Sequence, residues 1–367
     1  MSAKKILLAY GTRPELIKLA PVLFELKKRK GVHLTILNTG QHKEMVDELE
    51  AFFAIRADVY FKVMTANQNL NLTLSKITEK SAELLSRLKP DLIVVQGDTT
   101  TVLALGISGF YAGISVAHVE AGLRSFDLKN PYPEEFNRRV ISLLATYHFT
   151  PTANASQNLI REGVSKESIT LTGNTVVDTM NLIVKKGDRI QTEASGKLKK
   201  ILITAHRREN HGKGIAAICT AVKNVLKKHK GVAFIWPVHP NPNVENVVQR
   251  LLGNTRGVTL CKPLSYANLL REMKESFLIW TDSGGIQEEA PSLKKPVLIL
   301  RTVTERPEVV KSGFGILTGT DAKRIVSKTS ALLSNKELYK KMTGGKNPFG
   351  DGKAAKRIAD VVLKKAN

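Results

Sequence analysis

A chain of 367 residues is too long for one average core, and one domain per roughly 150 residues predicts two. Its 42% apolar content is ordinary for a soluble globular protein, and no run reaches the ~18 unbroken apolar residues of a membrane-spanning helix, so a membrane protein of that kind is excluded. The net charge of +23, from 56 basic and 33 acidic residues, invites a nucleic-acid reading; the surplus is scattered as lysine on helix faces without aromatic platforms, which favours a solvated basic surface able to attract a phosphorylated substrate.

The chain opens with Met1-Ser2-Ala3-Lys4-Lys5 and runs into a strand, Lys5 to Tyr10, with no signal-peptide pattern, so a cytoplasmic location is expected. Gly11-Thr12-Arg13-Pro14-Glu15 then opens a helix from Pro14. The glycine permits a tight turn, the helix N-terminus offers N–H groups to an anion, and Arg13 adds a bidentate phosphate donor. Lys18, about one turn after Pro14, points to the same end, while the further glycines of a dinucleotide fingerprint are absent.

Strand Val32 to Asn38 and helices from Lys43 and Asn69 lead to the apolar run Leu92 to Gln96, followed by Gly97-Asp98-Thr99-Thr100-Thr101. Helix Thr99 to Tyr111 and strand Ile114 to Glu120 come next. Asp98 and Glu120 thus close two apolar strands, where a carboxylate is costly unless chemistry uses it. His118 and Glu120 alternate along one strand and are predicted to share a face, His118 as a buried structural residue and Glu120 as the chemical group. With Asp98 they make a candidate metal triad, but the Cys-x-x-Cys of a zinc deaminase is missing; neither a metal nor a cofactor is predicted. A loop then carries Pro131-Tyr132-Pro133-Glu134-Glu135-Phe136-Asn137-Arg138-Arg139 into helix Glu134 to Ala145.

The pattern pauses at Gly173-Asn174-Thr175, and the polar stretch Lys186 to Lys199 precedes a second series. Its strands are Ile201 to Thr204, Val232 to Pro237, Phe277 to Thr281 and Pro296 to Leu300; its helices are Ile215 to Lys228, Asn243 to Leu252 and Gly285 to Ser292. His206-Arg207-Arg208 at a strand end suits a diphosphate, since an imidazolium can hydrogen-bond and neutralise a departing phosphate. In Asp282-Ser283-Gly284-Gly285 the two glycines leave the backbone open to a phosphate, Ser283 adds a donor, and Glu289, one turn on, is placed to accept from ribose hydroxyls. Cys219 and Cys261, far apart, read as reduced core thiols.

The β-α alternation argues for an α/β protein of doubly wound parallel sheets, two Rossmann-like halves with a cleft between them. Residues 1–173 form the first domain and 174–349 the second, with the closing helix within 350–367 able to pack back on the first half.

Taken together, GTRPELIKLAP at 11 to 21, GDTTT at 97 to 101, HVEAGLR at 118 to 124, PYPEEFNRR at 131 to 139, HRREN at 206 to 210, PVHPNP at 237 to 242 and DSGGIQEEAPSLKKPVLILRTVTERPE at 282 to 308 resemble the non-hydrolysing UDP-N-acetylglucosamine 2-epimerases. The resemblance spans nearly the whole chain. It implies the GT-B architecture, two Rossmann-like domains with parallel sheets facing a central cleft, and a homodimer. It further implies reversible conversion of UDP-N-acetylglucosamine to UDP-N-acetylmannosamine, by elimination of UDP to 2-acetamidoglucal and re-addition. Asp98, Glu120 and Glu134 would then serve acid/base work at carbon 2. Arg13, Lys18 and His206 would stabilise the diphosphate, with Arg138 supporting Glu134; Ser283, Gly284 and Gly285 would hold phosphate, Glu289 the ribose, and Arg306 the nucleotide end. Gln41, Arg207 and His239 match residues of a regulatory site, where Glu44 stands in place of the glutamine common in regulated members. Near the base, Pro263-Leu264-Ser265-Tyr266 departs from bacterial members, so contacts there are expected to lean on backbone groups.

Three rivals make different predictions. A hydrolysing 2-epimerase releases free N-acetylmannosamine; its relatives tend to lack the proline after Gly-Thr-Arg and the triple threonine, both present here. A GT-B glycosyltransferase needs an acceptor site and leaves the strand-end carboxylates unexplained. A nucleic-acid module would bind heparin or DNA in a salt-sensitive way. Neither nucleic acid nor membrane is expected as a partner.

Overall fold

The computed structural model describes residues 3–65, 68–185 and 198–365. Two compact units result, Met1–Leu182 with Phe349–Asn367, and Ile183–Pro348. Residues 186–197 of the polar stretch lie outside the described residues.

The first unit holds seven strands, β1 (Lys4–Tyr10), β2 (Val32–Asn38), β3 (Val59–Tyr60), β4 (Leu92–Gln96), β5 (Ser115–Val119), β6 (Tyr147–Thr150) and β7 (Ile169–Leu171), in the order β3-β2-β1-β4-β5-β6-β7. The second holds β8 (Lys199–Thr204), β9 (Val232–Pro237), β10 (Val258–Cys261), β11 (Leu278–Thr281), β12 (Val297–Ile299) and β13 (Gly315–Leu317), in the order β10-β9-β8-β11-β12-β13. Every pairing is parallel. Parallel strands need covered faces, which is why Leu92, Ile93, Val94 and Val95 have no exposure at all.

Both orders reverse beside the first strand of the unit: β1 pairs with β2 on one side and β4 on the other, and β8 with β9 and β11. The crevice beyond the carboxyl ends at such a reversal is where open α/β sheets bind ligands. Gly11 follows β1 and Asp98 follows β4; His206 follows β8 and Asp282 follows β11. The repeated topology therefore brings the motifs of each unit together in pairs.

Strands β3, β6, β7, β10 and β13, of two to four residues, were not among the expected elements, whereas the equally short β11 and β12 were, because unbroken apolar runs mark them. The core of the first unit gathers residues such as Leu7, Val95, Val102, Val116 and Ile141, that of the second Trp236, Trp280, Ile218 and Val222. Helix Ala354–Lys365 belongs to the first unit. Asp178 accepts from the backbone N–H groups of Ala354 and Ala355 at 3.2 and 3.0 Å, capping that helix, and Asp360 takes a 2.7 Å hydrogen bond from Arg29. Among the described residues no helix is long and apolar enough to cross a membrane.

Candidate active site

Helix Arg13–Lys27 begins in a capping box in which Thr12 is the N-cap and Glu15 reaches back to it. Glu15 is buried and accepts from Gly11 N–H at 3.1 Å, Thr12 N–H at 2.7 Å and the Thr99 hydroxyl at 2.9 Å. Burial pushes its carboxyl up to about 7 against the pull of those hydrogen bonds. The Gly11 turn differs from expectation. Its φ lies outside the left-handed region, and what it requires is space: an added Cβ would stand 2.0 Å from Thr39 Oγ1 and 2.4 Å from Thr101 Oγ1, hydroxyls that bond each other at 2.8 Å.

Glu120 stands one residue beyond β5, with φ of 66°, a left-handed conformation that costs a residue with a Cβ about 1–2 kcal/mol. The alternation predicted to place His118 and Glu120 on one face therefore stops at Val119. Glu120 is 8% exposed; it is ion-paired with Lys18 and accepts from Asn174 Nδ2 at 3.2 Å. His118 instead meets the Gly97 carbonyl through Nε2 at 2.7 Å, and burial drives its pKa down to about 3, so the ring is neutral. Among the described residues no group of three or more His, Cys, Asp and Glu is arranged to hold a metal ion.

Asp98 is held by its neighbours. Arg138 Nε donates to its Oδ2 at 2.7 Å, and Asn137 Nδ2 donates to its backbone carbonyl at 2.8 Å. Arg138 Nη1 donates in turn to Glu135 at 3.1 Å, and Glu135, with no exposure, also accepts from the backbone N–H groups of Ser125 and Phe126 at 3.0 and 3.1 Å. The adjacent Glu134 is half-buried at the first turn of helix Glu134–Leu144, and its Oε2 has no hydrogen-bond partner. Two consecutive glutamates thus divide: Glu135 is tied into structure, Glu134 is left available. Asp98, Arg138 and Glu135 form one linked group, and Lys18 with Glu120 another, both beyond the carboxyl ends of the first sheet; Glu134 opens the helix that carries Arg138. Arg13 is half-buried at the start of its helix, Gln41 accepts from the Thr101 amide and hydroxyl at 3.2 and 2.9 Å, and Glu44 is exposed.

In the second unit Asp282 is fully buried, and its Oδ2 gathers the backbone N–H groups of His206 and Arg207 at 2.9 and 2.8 Å and Asn210 Nδ2 at 3.0 Å. The His206 ring stacks on that of His239, centroids 5.5 Å apart. Ser283 precedes helix Gly284–Glu289 without capping it through its hydroxyl. The Arg306 guanidinium lies over Gly284, where an added Cβ would come within 2.8 Å of Arg306 Cζ. It is gripped by Glu288 at 2.8 Å and Glu305 at 3.1 Å. Gly285 is open, its nearest neighbour being Ser283 Oγ at 3.8 Å. Glu289 is 5% exposed and accepts from Tyr266 at 3.1 Å.

Sequence reasoning passed over Glu15, Glu135, Asn174 and Asp282, although all four lie inside or beside the quoted motifs. The available signal was Glu15 three residues after Thr12, a capping-box spacing. Arg301, buried between Glu209 at 2.7 Å and Glu305 at 2.9 Å, carried no such signal.

Residues 24–363 match the family profile described as UDP-N-acetylglucosamine 2-epimerase. The UDP-N-acetylglucosamine 2-epimerase of Campylobacter jejuni is 41% identical over 377 residues, 99% of this chain and 98% of that one. That of Escherichia coli K12 is 43% identical over 368 residues, 98% of each. The crystal structure of the Neisseria meningitidis UDP-GlcNAc 2-epimerase, bound to UDP-GlcNAc, is similar with a TM-score of 0.93 at 41% identity, covering 98% of this chain and 100% of that one. Two parallel sheets in a GT-B-like fold, motifs gathered at both sheet reversals and full-length similarity of this order lead to one conclusion: the chain belongs to the UDP-N-acetylglucosamine 2-epimerase family and is an isomerase.

Proposed function

We propose that this epimerase is of the non-hydrolysing kind, interconverting UDP-N-acetylglucosamine and UDP-N-acetylmannosamine by elimination and re-addition. Carbon 2 has no adjacent carbonyl, so its proton is weakly acidic. Loss of that proton coupled to cleavage of the C1–O bond releases UDP and leaves 2-acetamidoglucal with a double bond between carbons 1 and 2. UDP oxygen then re-attacks carbon 1 while a proton returns to the other face of carbon 2. The observation that carries this reading is the division of labour among the carboxylates: Glu120 paired with Lys18, Asp98 held by Arg138, and Glu134 with an unpartnered oxygen. Three carboxyl groups with different partners supply distinct candidates for the acid and the base that chemistry on two faces of carbon 2 requires.

Arg13 and His206 stabilise the departing diphosphate in this scheme. Lys18 acts through Glu120 as well as on phosphate. Ser283, Gly284 and Gly285 supply hydroxyl and amide donors, Arg306 the cation over them, and Glu289, steadied by Tyr266, the acceptor for ribose. Gln41, Arg207 and His239 match the lining of a regulatory nucleotide-sugar site, and the carboxylate of Glu44, close to Gln41 in sequence, weakens or abolishes activation through it by repelling the diphosphate. The active form is a homodimer in this reading, supported by exposed Phe110, Tyr111 and Leu143 on the neighbouring helices Thr100–Tyr111 and Glu134–Leu144. Light scattering at twice the chain mass is the expected result for the dimer.

Incubation with UDP-N-acetylglucosamine in heavy water, followed by proton NMR, tests the chemistry. Both epimers become deuterated at carbon 2 with UDP still attached. Retention of the original proton refutes elimination, and free N-acetylmannosamine accumulating in step with consumption assigns the chain to the hydrolysing kind.

A further inference from the structure

The two oxygens of Asp282 are used unequally. Oδ2 accepts three hydrogen bonds, two from the backbone N–H groups of His206 and Arg207 and one from Asn210. Oδ1 is buried without any hydrogen-bond partner, and it faces His206 Nδ1 at 3.7 Å. A buried carboxylate oxygen lacking a donor is costly, so a donor brought to it is strongly favoured. The imidazole can be that donor: its side chain is 41% exposed, with one edge toward the carboxylate, while stacking on His239 at 14° between ring planes sets its tilt.

We propose that Asp282 is the positioning residue of His206, forming a carboxylate–imidazole couple that holds the Nδ1 proton and presents Nε2–H outward. The inference rests on the assignment of His206 to the leaving diphosphate and deepens it. Because Oδ2 is bound to the backbone amide of the same residue whose ring faces Oδ1, carboxylate and imidazole are fixed in one frame. A sub-ångström approach completes the Nδ1–H···Oδ1 bond. The imidazolium keeps both protons: Nδ1–H stays on Asp282, and Nε2–H donates to the phosphate oxygen as the C1–O bond breaks. Among the fixed charges that adjoin the ring in sequence, Arg207 and Arg208 oppose this form, while Glu209 is engaged by Arg301; the titratable rings nearby are His239, which stacks on it, and His211, 3.2 Å from the His206 carbonyl. Asp282 supplies a carboxylate that favours the charged ring.

Asp282→Asn tests the couple with little change of shape. Three donors converge on Oδ2, so the asparagine carbonyl takes that place and its amide nitrogen takes the place of Oδ1, setting a donor against Nδ1. The neutral ring must then carry its proton on Nε2 and loses a stabilising charge. The alkaline limb of the kcat/KM profile moves down by about one pH unit or more, the effect of an opposite charge at this range. Ring nitrogen NMR of the full-length protein shows the Nδ1–H tautomer at high pH in the parent and Nε2–H in the variant. The double variant with His206→Ala is no slower than His206→Ala alone. A superimposable pH profile with an unchanged tautomer, or costs that multiply in the double variant, overturns the proposal. If Asp282→Asn does not fold, the parent spectrum decides: a neutral ring protonated on Nε2 refutes the couple. Failure of the underlying assignment looks different, since His206→Ala would then leave both turnover and UDP affinity intact whatever the tautomer.

Discussion

Substituting Glu134 and Glu135 separately by glutamine tests whether adjacent carboxylates have been divided between chemistry and structure. In Glu135→Gln the new carbonyl can replace Oε2, which accepts from Ser125 N–H at 3.0 Å and Arg138 at 3.1 Å. The amide nitrogen then faces the Phe126 N–H, where Oε1 had accepted at 3.1 Å, and two donors oppose each other. One buried unsatisfied pair costs about 1–3 kcal/mol, and Arg138, 5% exposed, loses the negative charge of one carboxylate partner. A total near 3 kcal/mol lowers the melting temperature of a unit of this size by about 6–12 °C. Glu134 Oε2 has no partner to lose, so Glu134→Gln melts closer to the parent than Glu135→Gln does, but turns over at least ~100-fold more slowly if its carboxyl moves a proton. Calorimetric melting and initial rates on the two variants give the answer. An unchanged melt for Glu135→Gln, or a fully active Glu134→Gln, would refute the division.

Gly284→Ala pushes a methyl to within 2.8 Å of Arg306 Cζ and displaces a guanidinium held by two glutamates, so UDP affinity falls about tenfold or more by titration calorimetry, equivalent to ~1.4 kcal/mol. Gly285→Ala, whose methyl meets only Ser283 Oγ at 3.8 Å, keeps the parent's melting temperature; an unperturbed UDP affinity in Gly284→Ala would show that Arg306 does not serve the nucleotide. Two buried groups give opposed pH dependences. Glu15, raised from 4.5 to about 7, makes the folded state bind more protons than the unfolded, so its contribution is fully present below 4.5 and is lost as pH rises through 7; in Glu15→Gln that loss disappears from melts taken across the window. His118, lowered from 6.5 to about 3, contributes above 6.5 and is lost as pH falls toward 3, so His118→Asn loses less stability than the parent on acidification; identical slopes would exclude His118 as an acid-labile element.

The architecture was legible because its longer elements repeat a simple physical pattern. Leu92 to Gln96 and Val32 to Asn38 are β-rich runs long enough to register, and both were located to the residue. Strands of two or three residues, such as Val59–Tyr60 and Gly315–Leu317, owe their existence to pairing with a neighbour already in place, which no local pattern encodes. Helix Ala153–Arg161 was missed despite a visible signal, since Thr152 caps it through the Ala155 amide.

At the site, sequence reasoning found carboxylates by their misplacement and overlooked those with buried partners. Asp98 and Glu120 were conspicuous at the ends of apolar strands. Glu135 and Asp282 looked like companions of better candidates, because their importance lies in whom they bind: Glu135 reaches back to Ser125 and Phe126, and Asp282 reaches across the sheet to His206. The partners of Asp282 are distant along the chain and become neighbours only once strand order is known, while those of Glu135 come close only when the loop before its helix folds back. Topology is therefore the missing link between motif and role. Adjacency of β8 and β11 sets the Asp282 carboxylate under the His206 backbone, just as adjacency of β1 and β4 lets Glu15 hold Thr99 beside Asp98. In both units a buried acid from one strand end clamps the loop at the next, and the residue carried by that loop is the one assigned to chemistry. Rigid mounting of this kind favours sites built at sheet reversals, since two loops brace each other there without help from solvent-exposed contacts.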